Sequence, residues 1–227
     1  MILFSVTNLL ASENPFKSPL PFKEATIHYN ITGSKKGTQT TYIKNFGKQK
    51  VIYKNTNSKI MHASTLDDTL IMIDEKWTYH INLSTKKATK EPSLNTILIK
   101  KFNKLTKKEQ ETILEKKGKT FLGIPTQKES VSGVTNYMSK KGRLLLSSET
   151  GIMGYKVKTT ASTIEIKDVN DSLFILPKDL KITLKEADEL KATKILKALL
   201  KKDDFLGQNG SVDYHSIIQE GIQALDF

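Results

Sequence analysis

Strict alternation of apolar and polar side chains is the feature that most constrains this chain. Over residues 22–32 one face would carry apolar side chains and the other polar ones, as a half-buried strand requires. The apolar face comprises Ala25, Ile27, Tyr29 and Ile31. Similar strand patterns cover residues 38–45, 49–55, 69–73 and 77–83. Short turns separate these segments, so the sequence predicts an antiparallel series of strands before any helix.

The spacing of apolar residues changes at Ser93. A period of three to four residues predicts two short helices up to about residue 117, the second opened by a capping box of Thr106 and Glu109. A second group of strands is predicted over residues 120–124, 131–139, 143–148, 153–160 and 162–167. The chain is therefore predicted to be an α+β protein with a curved antiparallel β-sheet, a half-barrel of about 10 strands. Helices would lie at the concave face, because such a sheet needs a cover.

The end of the chain has helical periodicity. A capping-box pattern at Thr183 and Glu186 precedes two apolar stripes at helical spacing. The stripes are formed by Ala192, Ile195, Leu196 and Leu199, and by Tyr214, Ile217, Ile218 and Ile222. The predicted organisation is a half-barrel domain over residues 21–182 with a helical insert over 93–118, followed by a C-terminal helical tail over 183–227.

Residues 1–20 allow two interpretations. The apolar run between Ile2 and Ala11, followed by small and polar residues, is typical of the end of a signal peptide. No basic residue precedes Lys17, so an extended N-terminus with a strand or helix packed on the core is the alternative. On the first interpretation the protein is exported, and we expect it in the periplasm or secreted.

Groups that could carry catalysis or bind a metal are few. The chain has no cysteine and four histidines, and the histidines lie outside any nucleophile or metal-binding motif. Residues 209–213 match the centre of an EF-hand loop, but Phe205 and Ser216 stand where its carboxylate ligands belong. The sequence therefore predicts no enzyme, no catalytic residue, no cofactor and no metal site.

The chain is basic, with 36 lysines and arginines against 24 acidic residues and a formal net charge of +12. Arg143 is its one arginine, whereas specific nucleic-acid recognition favours the planar guanidinium group. We therefore expect no specific nucleic-acid partner. An anionic membrane surface is a partner class that fits the charge, and soluble strand edges are the simpler explanation of the lysines. Nothing in the sequence indicates an oligomeric state.

Large apolar side chains on the predicted strands either fill a core or line a cavity for a hydrophobic or lipid-like ligand. The candidate lining residues are Tyr29, Ile31, Trp77, Tyr79, Met138, Leu144, Leu146, Met153 and Tyr155. Alternation predicts one shared inner face, with polar neighbours such as His28 and His80 pointing away from it. The face predicted in this way comprises Tyr29, Ile31, Tyr79, Ile81, Leu144, Leu146 and Tyr155.

The second group of strands resembles a known family. Residues 154–157, 161–166 and 171–177, the last ending in Phe174, Leu176 and Pro177, are similar to the closing strands of outer-membrane lipoprotein-sorting and carrier proteins. The same plan is found in uncharacterised exported bacterial relatives with a helical tail, and the resemblance spans about residues 22–182. It implies a half-barrel with helices at its concave side, and non-enzymatic periplasmic binding or carriage of a hydrophobic or lipid-like ligand.

The same features also fit a function of another class. An envelope interaction protein with a packed core would use the helical tail or the lysine-rich surface to meet a partner.

Overall fold

The computed structural model describes residues 14–60, 63–152 and 155–201. Within these residues twelve strands form one sheet and three α-helices accompany it. The strands are β1 (Ala25–Gly33), β2 (Lys35–Lys44), β3 (Gln49–Ile60), β4 (Ala63–Ile73), β5 (Trp77–Asn82), β6 (Lys87–Pro92), β7 (Thr120–Phe121), β8 (Ile124–Val131), β9 (Val134–Ser139), β10 (Leu145–Ile152), β11 (Tyr155–Glu165) and β12 (Lys181–Leu184). The helices are α1 (Leu94–Phe102), α2 (Lys107–Glu115) and α3 (Glu189–Leu200).

The sheet joins the two predicted groups of strands at its centre. Its order is β12-β6-β5-β4-β3-β2-β1-β11-β10-β9-β8-β7, with β1 between β2 and β11. The described pairings are antiparallel except that of β12 with β6. The predicted fold class is confirmed: the protein is α+β, with a single open, curved and mostly antiparallel sheet.

The sheet is strongly curved across its middle. The amino group of Lys50 on β3 lies 3.4 Å from the carbonyl oxygen of Gly142, in the turn before β10. Four strand-to-strand steps separate β3 from β10 in the sheet. At about 4.8 Å per step a flat sheet would hold them about 19 Å apart, beyond the reach of a lysine side chain. The contact therefore requires the sheet to curl into an open half-barrel.

Two apolar layers lie on opposite faces of the sheet. Directly paired residues of an antiparallel sheet share a face. We call the face that carries Tyr29 and Ile31 the inner face. Pairing continues it from Tyr29 through Gln39 to Lys54. A different cluster, on what we call the outer face, contains Val51, Leu70, Met72, Ile81 and Ala88 and is covered by Phe174, Leu176 and Leu180.

The three helices form a layer at the inner face. Gln127 on β8 donates a hydrogen bond of 2.6 Å to the carbonyl oxygen of Ile113 on α2, which fixes α2 over that strand. The amino group of Lys116 donates to the carbonyl oxygens of Ala198 and Lys201, which fixes the end of α3 beside α2. The apolar core between the helices is formed by Phe16, Ile97, Leu98, Phe102, Ile113, Ala192, Ile195, Leu196 and Leu199.

The helical tail begins later than its sequence pattern predicts. Thr183 lies in β12. Directly after this strand, Lys185 donates its backbone N–H to the carbonyl oxygen of Lys90 on β6 at 2.8 Å. Asp188 caps α3 instead, because its Oδ1 accepts a hydrogen bond from the backbone N–H of Lys191 at 2.8 Å. The prediction of a helix start at Thr183 is wrong, since pairing with β6 satisfies the backbone there. The predicted stripe from Tyr214 onwards lies outside the described residues.

Candidate ligand cavity

A cavity of about 590 Å³ lies between α3 and the inner face of the sheet. Strands from β1 to β3 and from β8 to β11 contribute its floor, and α3 contributes its roof. The curvature of the sheet therefore gathers distant strands around one half-open space.

The floor is built from two rows of residues that cross the strands. Direct pairing aligns the first row, which runs Thr56, Gly37, Ile31, Thr159, Ser148 and Asn136 from β3 to β9. The second row runs Val157, Thr150, Val134 and Val131 from β11 to β8. Gly37 contributes no side chain to the first row, and the backbone is too close for one, because a Cβ there would stand 2.1 Å from the carbonyl oxygen of Asn55. The floor thus carries its charged side chains, Lys35 and Lys54, on β2 and β3, and uncharged side chains towards β8.

One side of α3 supplies the roof. Leu190, Lys191, Lys194 and Ile195 line the cavity, and helical geometry places residues at this spacing on one side of a helix. Ala192, Leu196 and Leu199 are buried in the core between the helices, and Ile195 belongs to both that core and the cavity lining. The same helix therefore anchors itself through one side and faces the cavity with another.

Charge in the lining is mostly positive. Lys35 and Lys54 reach the cavity from the sheet, and Lys191 and Lys194 reach it from α3. Asp188 is the acidic group among the lining residues that the structure describes. Four lysines and one aspartate give this lining a formal charge of +3 at neutral pH. Positive groups thus approach the cavity from its floor and its roof.

Thr56 contributes a buried hydroxyl group to the floor. Its side chain is 1% exposed, and its Oγ1 has no hydrogen-bond partner among the described residues. A buried polar atom without a partner costs about 1–3 kcal/mol of stability. The fold therefore keeps a hydroxyl group at the cavity wall at a cost to its own stability.

Replacing Thr56 with Val is expected to raise the free energy of unfolding by about 1 kcal/mol, because an unpartnered hydroxyl is removed while the side-chain shape is kept. Thr41→Val is the matched control. Thr41 is also buried on the inner face, but its Oγ1 accepts a hydrogen bond of 3.3 Å from Gln39, so its loss should lower stability. Urea-induced unfolding measures both changes. A loss of stability in both variants contradicts the unpartnered state of Thr56.

A second polar group lies deeper on the inner face. Arg143 donates to Oε2 of Glu129, and both side chains are almost fully buried, at 9% and 5% exposure. The guanidinium carbon of Arg143 stands 4.8 Å from the centre of the Phe16 ring. Desolvation, together with the nearby Arg143 cation, lowers the pKa of Lys50 to about 8. This group joins the sheet to the segment before β1.

Four of the residues predicted from the sequence lie together on the inner face. Ile31 lines the cavity. Tyr29, Leu144 and Leu146 are buried in a core cluster that also contains Leu20. The hydroxyl of Tyr29 donates to the carbonyl oxygen of Leu145 at 2.7 Å, and burial raises the pKa of this hydroxyl. These three side chains pack on the same face beside the cavity and do not line it.

The register places the three predicted residues of β5 on the outer face. Tyr79 pairs with Met72 and packs against the outer-face cluster. Trp77 lies two residues before it on β5 and therefore points the same way. The amino group of Lys90 stands 4.2 Å from the Trp77 ring centre and 5.4 Å from that of Tyr79. The strand pairing from β1 to β5 therefore places Trp77, Tyr79 and Ile81 on the face opposite Ile31. This is the face opposite to the one predicted from alternation.

The remaining predicted residues have three different positions. Met138 is half-buried on β9 opposite Gln127, outside the cavity lining. Tyr155 is half-buried at the start of β11, and burial raises the pKa of its hydroxyl. Met153 lies outside the described residues.

Polar lining residues were missed by the sequence prediction, which selected large apolar side chains only. Thr56, Thr159, Ser148 and Asn136 all lie on the floor. One signal was present: residues 54–58 continue a strand without any apolar alternation. A paired strand segment that has polar side chains on both faces is typical of a sheet surface that borders a polar space.

Residues 14–60, 63–152 and 155–201 contain no cluster of metal-ligand side chains and no helix that could span a membrane. No group of three or more His, Asp or Glu side chains there is placed to hold a metal ion. No helix in that part of the chain is long and apolar enough to cross a membrane. The loop that resembles the centre of an EF-hand lies outside these residues.

No protein-family model and no curated protein matches the sequence. Similar solved structures do exist. An uncharacterised conserved protein from Thermus thermophilus is 12% identical, with a TM-score of 0.43, and the match covers 72% of this chain and 91% of that one. LprF from Mycobacterium bovis is 9% identical, with a TM-score of 0.28 and coverages of 70% and 90%.

A LolA superfamily protein from Nitrosomonas europaea is 10% identical, with a TM-score of 0.24, and the match covers 72% of this chain and 95% of that one.

Proposed function

We propose that this protein binds and carries a lipid-like amphiphile, without chemical conversion, in the cavity between α3 and the inner face. The observation that carries the proposal is the half-open cavity of about 590 Å³ between two layers of the fold. Cavities of about 300–1,000 Å³ with apolar walls are typical of small-molecule sites. Ile31, Val131, Val134, Val157 and Ile195 supply such a wall.

The attachment of α3 suits uptake and release. Its C-terminal half is anchored, with Leu199 fully buried and the carbonyl oxygen of Ala198 bonded to Lys116. Its N-terminal half is more open, with Leu190 at 64% exposure on the cavity rim. A cover held more firmly at one end provides an entry route without unfolding the sheet.

The lining supports binding over catalysis. Among the described lining residues the one carboxylate is Asp188, whose Oδ1 already caps α3. The same described lining includes no histidine, so it offers no second base of the kind that activates a nucleophile. The periplasmic or exported setting and the contact with an anionic membrane surface remain predictions from the sequence.

Filling the cavity is expected to weaken ligand binding. Thr159→Phe places a ring on the floor, and we expect at least about a tenfold loss of affinity for a fluorescent alkyl probe, because the ring occupies ligand space. Thr160→Phe is the matched control, since its side chain lies on the opposite face of the same strand. Probe titration measures affinity, and native mass spectrometry of the purified protein detects copurified lipid.

Two outcomes contradict carriage in this cavity. One is probe binding that Thr159→Phe and Thr160→Phe weaken equally, and the other is no probe binding and no copurified lipid in the unmodified protein. The second outcome favours an interaction protein. Two exposed apolar side chains support that candidate. Leu184 in the edge strand β12 is 69% exposed, and Ile175 in the segment before that strand is 70% exposed.

A further inference from the structure

We infer that the amphiphile carries a negatively charged headgroup, which Lys54 on the sheet and Lys194 on α3 hold between them beside the Thr56 hydroxyl. The inference rests on the proposed function, and it adds the chemical class and the orientation of the ligand.

The distribution of the lining residues gives the cavity two unlike ends. Lys35, Lys54 and Thr56 lie on β2 and β3. At the opposite side of the floor, on β8, β9 and the turn between them, the lining residues are uncharged: Val131, Val134, Ser132 and Asn136. A molecule with a charged head and an alkyl chain matches this gradient in one orientation, with its head at β3 and its chain towards β8.

Like charges gathered around a half-open cavity favour an anion there. Lys35 and Lys54 approach from the sheet while Lys191 and Lys194 approach from α3, with Asp188 as the acidic member of this lining. Charges interact more strongly where protein displaces water, so an anion between floor and roof is attracted from two sides.

The Thr56 hydroxyl is an independent observation that points to a ligand. Its Oγ1 is buried at the cavity wall and has no partner among the described residues. Thr56 lies two residues after Lys54 on β3, so both side chains leave the same face of the sheet. A carboxylate or phosphate oxygen held by Lys54 is therefore placed to accept the hydrogen bond that Thr56 otherwise lacks.

Compounds that share a twelve-carbon chain test the charge of the head. Dodecanoate, dodecyl phosphate, dodecanol and dodecyltrimethylammonium are titrated against the unmodified protein by displacement of a neutral alkyl probe, below their micelle concentrations. We expect the two anions to bind at least about tenfold more tightly than dodecanol, and the cation to bind most weakly. Added salt should reduce the advantage of the anions. The ratio between dodecanoate and dodecyl phosphate separates carboxylate from phosphate heads.

Substitutions locate the headgroup site. Lys54→Gln combined with Lys194→Gln is expected to reduce the preference for dodecanoate over dodecanol at least about fivefold. Lys104→Gln combined with Lys141→Gln removes the same charge at exposed positions outside the cavity and should leave this preference unchanged. Thr56→Val should weaken dodecanoate about threefold while dodecanol is unaffected. Thermal unfolding confirms that each variant is folded.

The outcomes separate the inference from the function on which it rests. Equal binding of dodecanol and dodecanoate, or an unchanged preference in the variant lacking Lys54 and Lys194, overturns the anionic headgroup and leaves carriage intact. Binding of none of the four compounds overturns carriage itself. Inorganic phosphate or acetate that competes as well as the alkyl anions overturns the lipid headgroup and identifies a site for a free anion.

Discussion

Arg143→Met is expected to lower the free energy of unfolding by about 3–5 kcal/mol, one of the largest effects of any single substitution in this protein. The change leaves the carboxylate of Glu129 buried at 5% exposure without the cation to which it is hydrogen-bonded. It also removes the guanidinium group stacked near Phe16. A buried charge without a partner costs far more than the pair itself contributes, so the loss of stability comes mainly from Glu129.

Two further variants isolate this cause. Arg143→Met combined with Glu129→Gln should recover most of the loss, because no buried charge is then left unpaired. Lys158→Met is the matched surface control, since Lys158 and Glu149 form an ion pair of 3.0 Å at 53% and 40% exposure on the same sheet. We expect this control to cost less than about 1 kcal/mol. Urea-induced unfolding measures all three, and a single substitution at Arg143 as mild as the control contradicts the buried pair.

The alternation of apolar and polar residues predicts the early strands of the sheet but not every strand in it. Residues 22–32 and 77–83 were assigned to strands that the structure contains as β1 and β5. Strand β6 was missed because its sequence, from Lys87 to Pro92, is polar and shows no alternation. It pairs all the same, because β5 on one side and β12 on the other satisfy its backbone. Pairing through backbone hydrogen bonds alone imposes little apolar-polar pattern on the sequence.

The choice of face could not be predicted from single strands. Alternation shows that Tyr79 and Ile81 share a face, and that Tyr29 and Ile31 share one, but it does not relate the two pairs. That relation depends on the register of every strand between β1 and β5. Because the segment around Phe174 covers the outer face, both faces of this sheet carry apolar residues, and either assignment is consistent with burial.

The cavity could not be predicted from the sequence for a related reason. Its charged and hydroxyl-bearing residues look like surface residues in the sequence, since Lys and Thr are common on exposed strand faces. They become cavity residues only because β3 curls towards β8 and α3 crosses above them. Thr56 shows this most clearly: its position predicts exposure, whereas the structure buries it at 1%.

Leu199→Asp is expected to release α3 from the helical layer and to abolish ligand binding. Leu199 is fully buried between α1, α2 and α3, so a carboxylate there must either remain buried without a partner or pull the helix into solvent. Burial of that charge costs several kcal/mol. This cost exceeds the stabilisation that one buried leucine side chain provides to the twelve-residue helix. We expect a hydrophobic dye to bind more strongly and the alkyl probe to dissociate.

The Lys197→Asp variant separates loss of the cover from a general change of charge. Lys197 is exposed on the same helix, so its substitution should leave both dye binding and probe affinity close to those of the unmodified protein. A point substitution is more informative than truncation after Lys181, because truncation also removes β12 from the edge of the sheet. Far-ultraviolet circular dichroism should show that the strands of the Leu199→Asp variant remain, since α3 contributes no pairing to them. Loss of the sheet together with α3 means that the helix belongs to the core, and a helix of that kind cannot act as the movable cover that carriage requires.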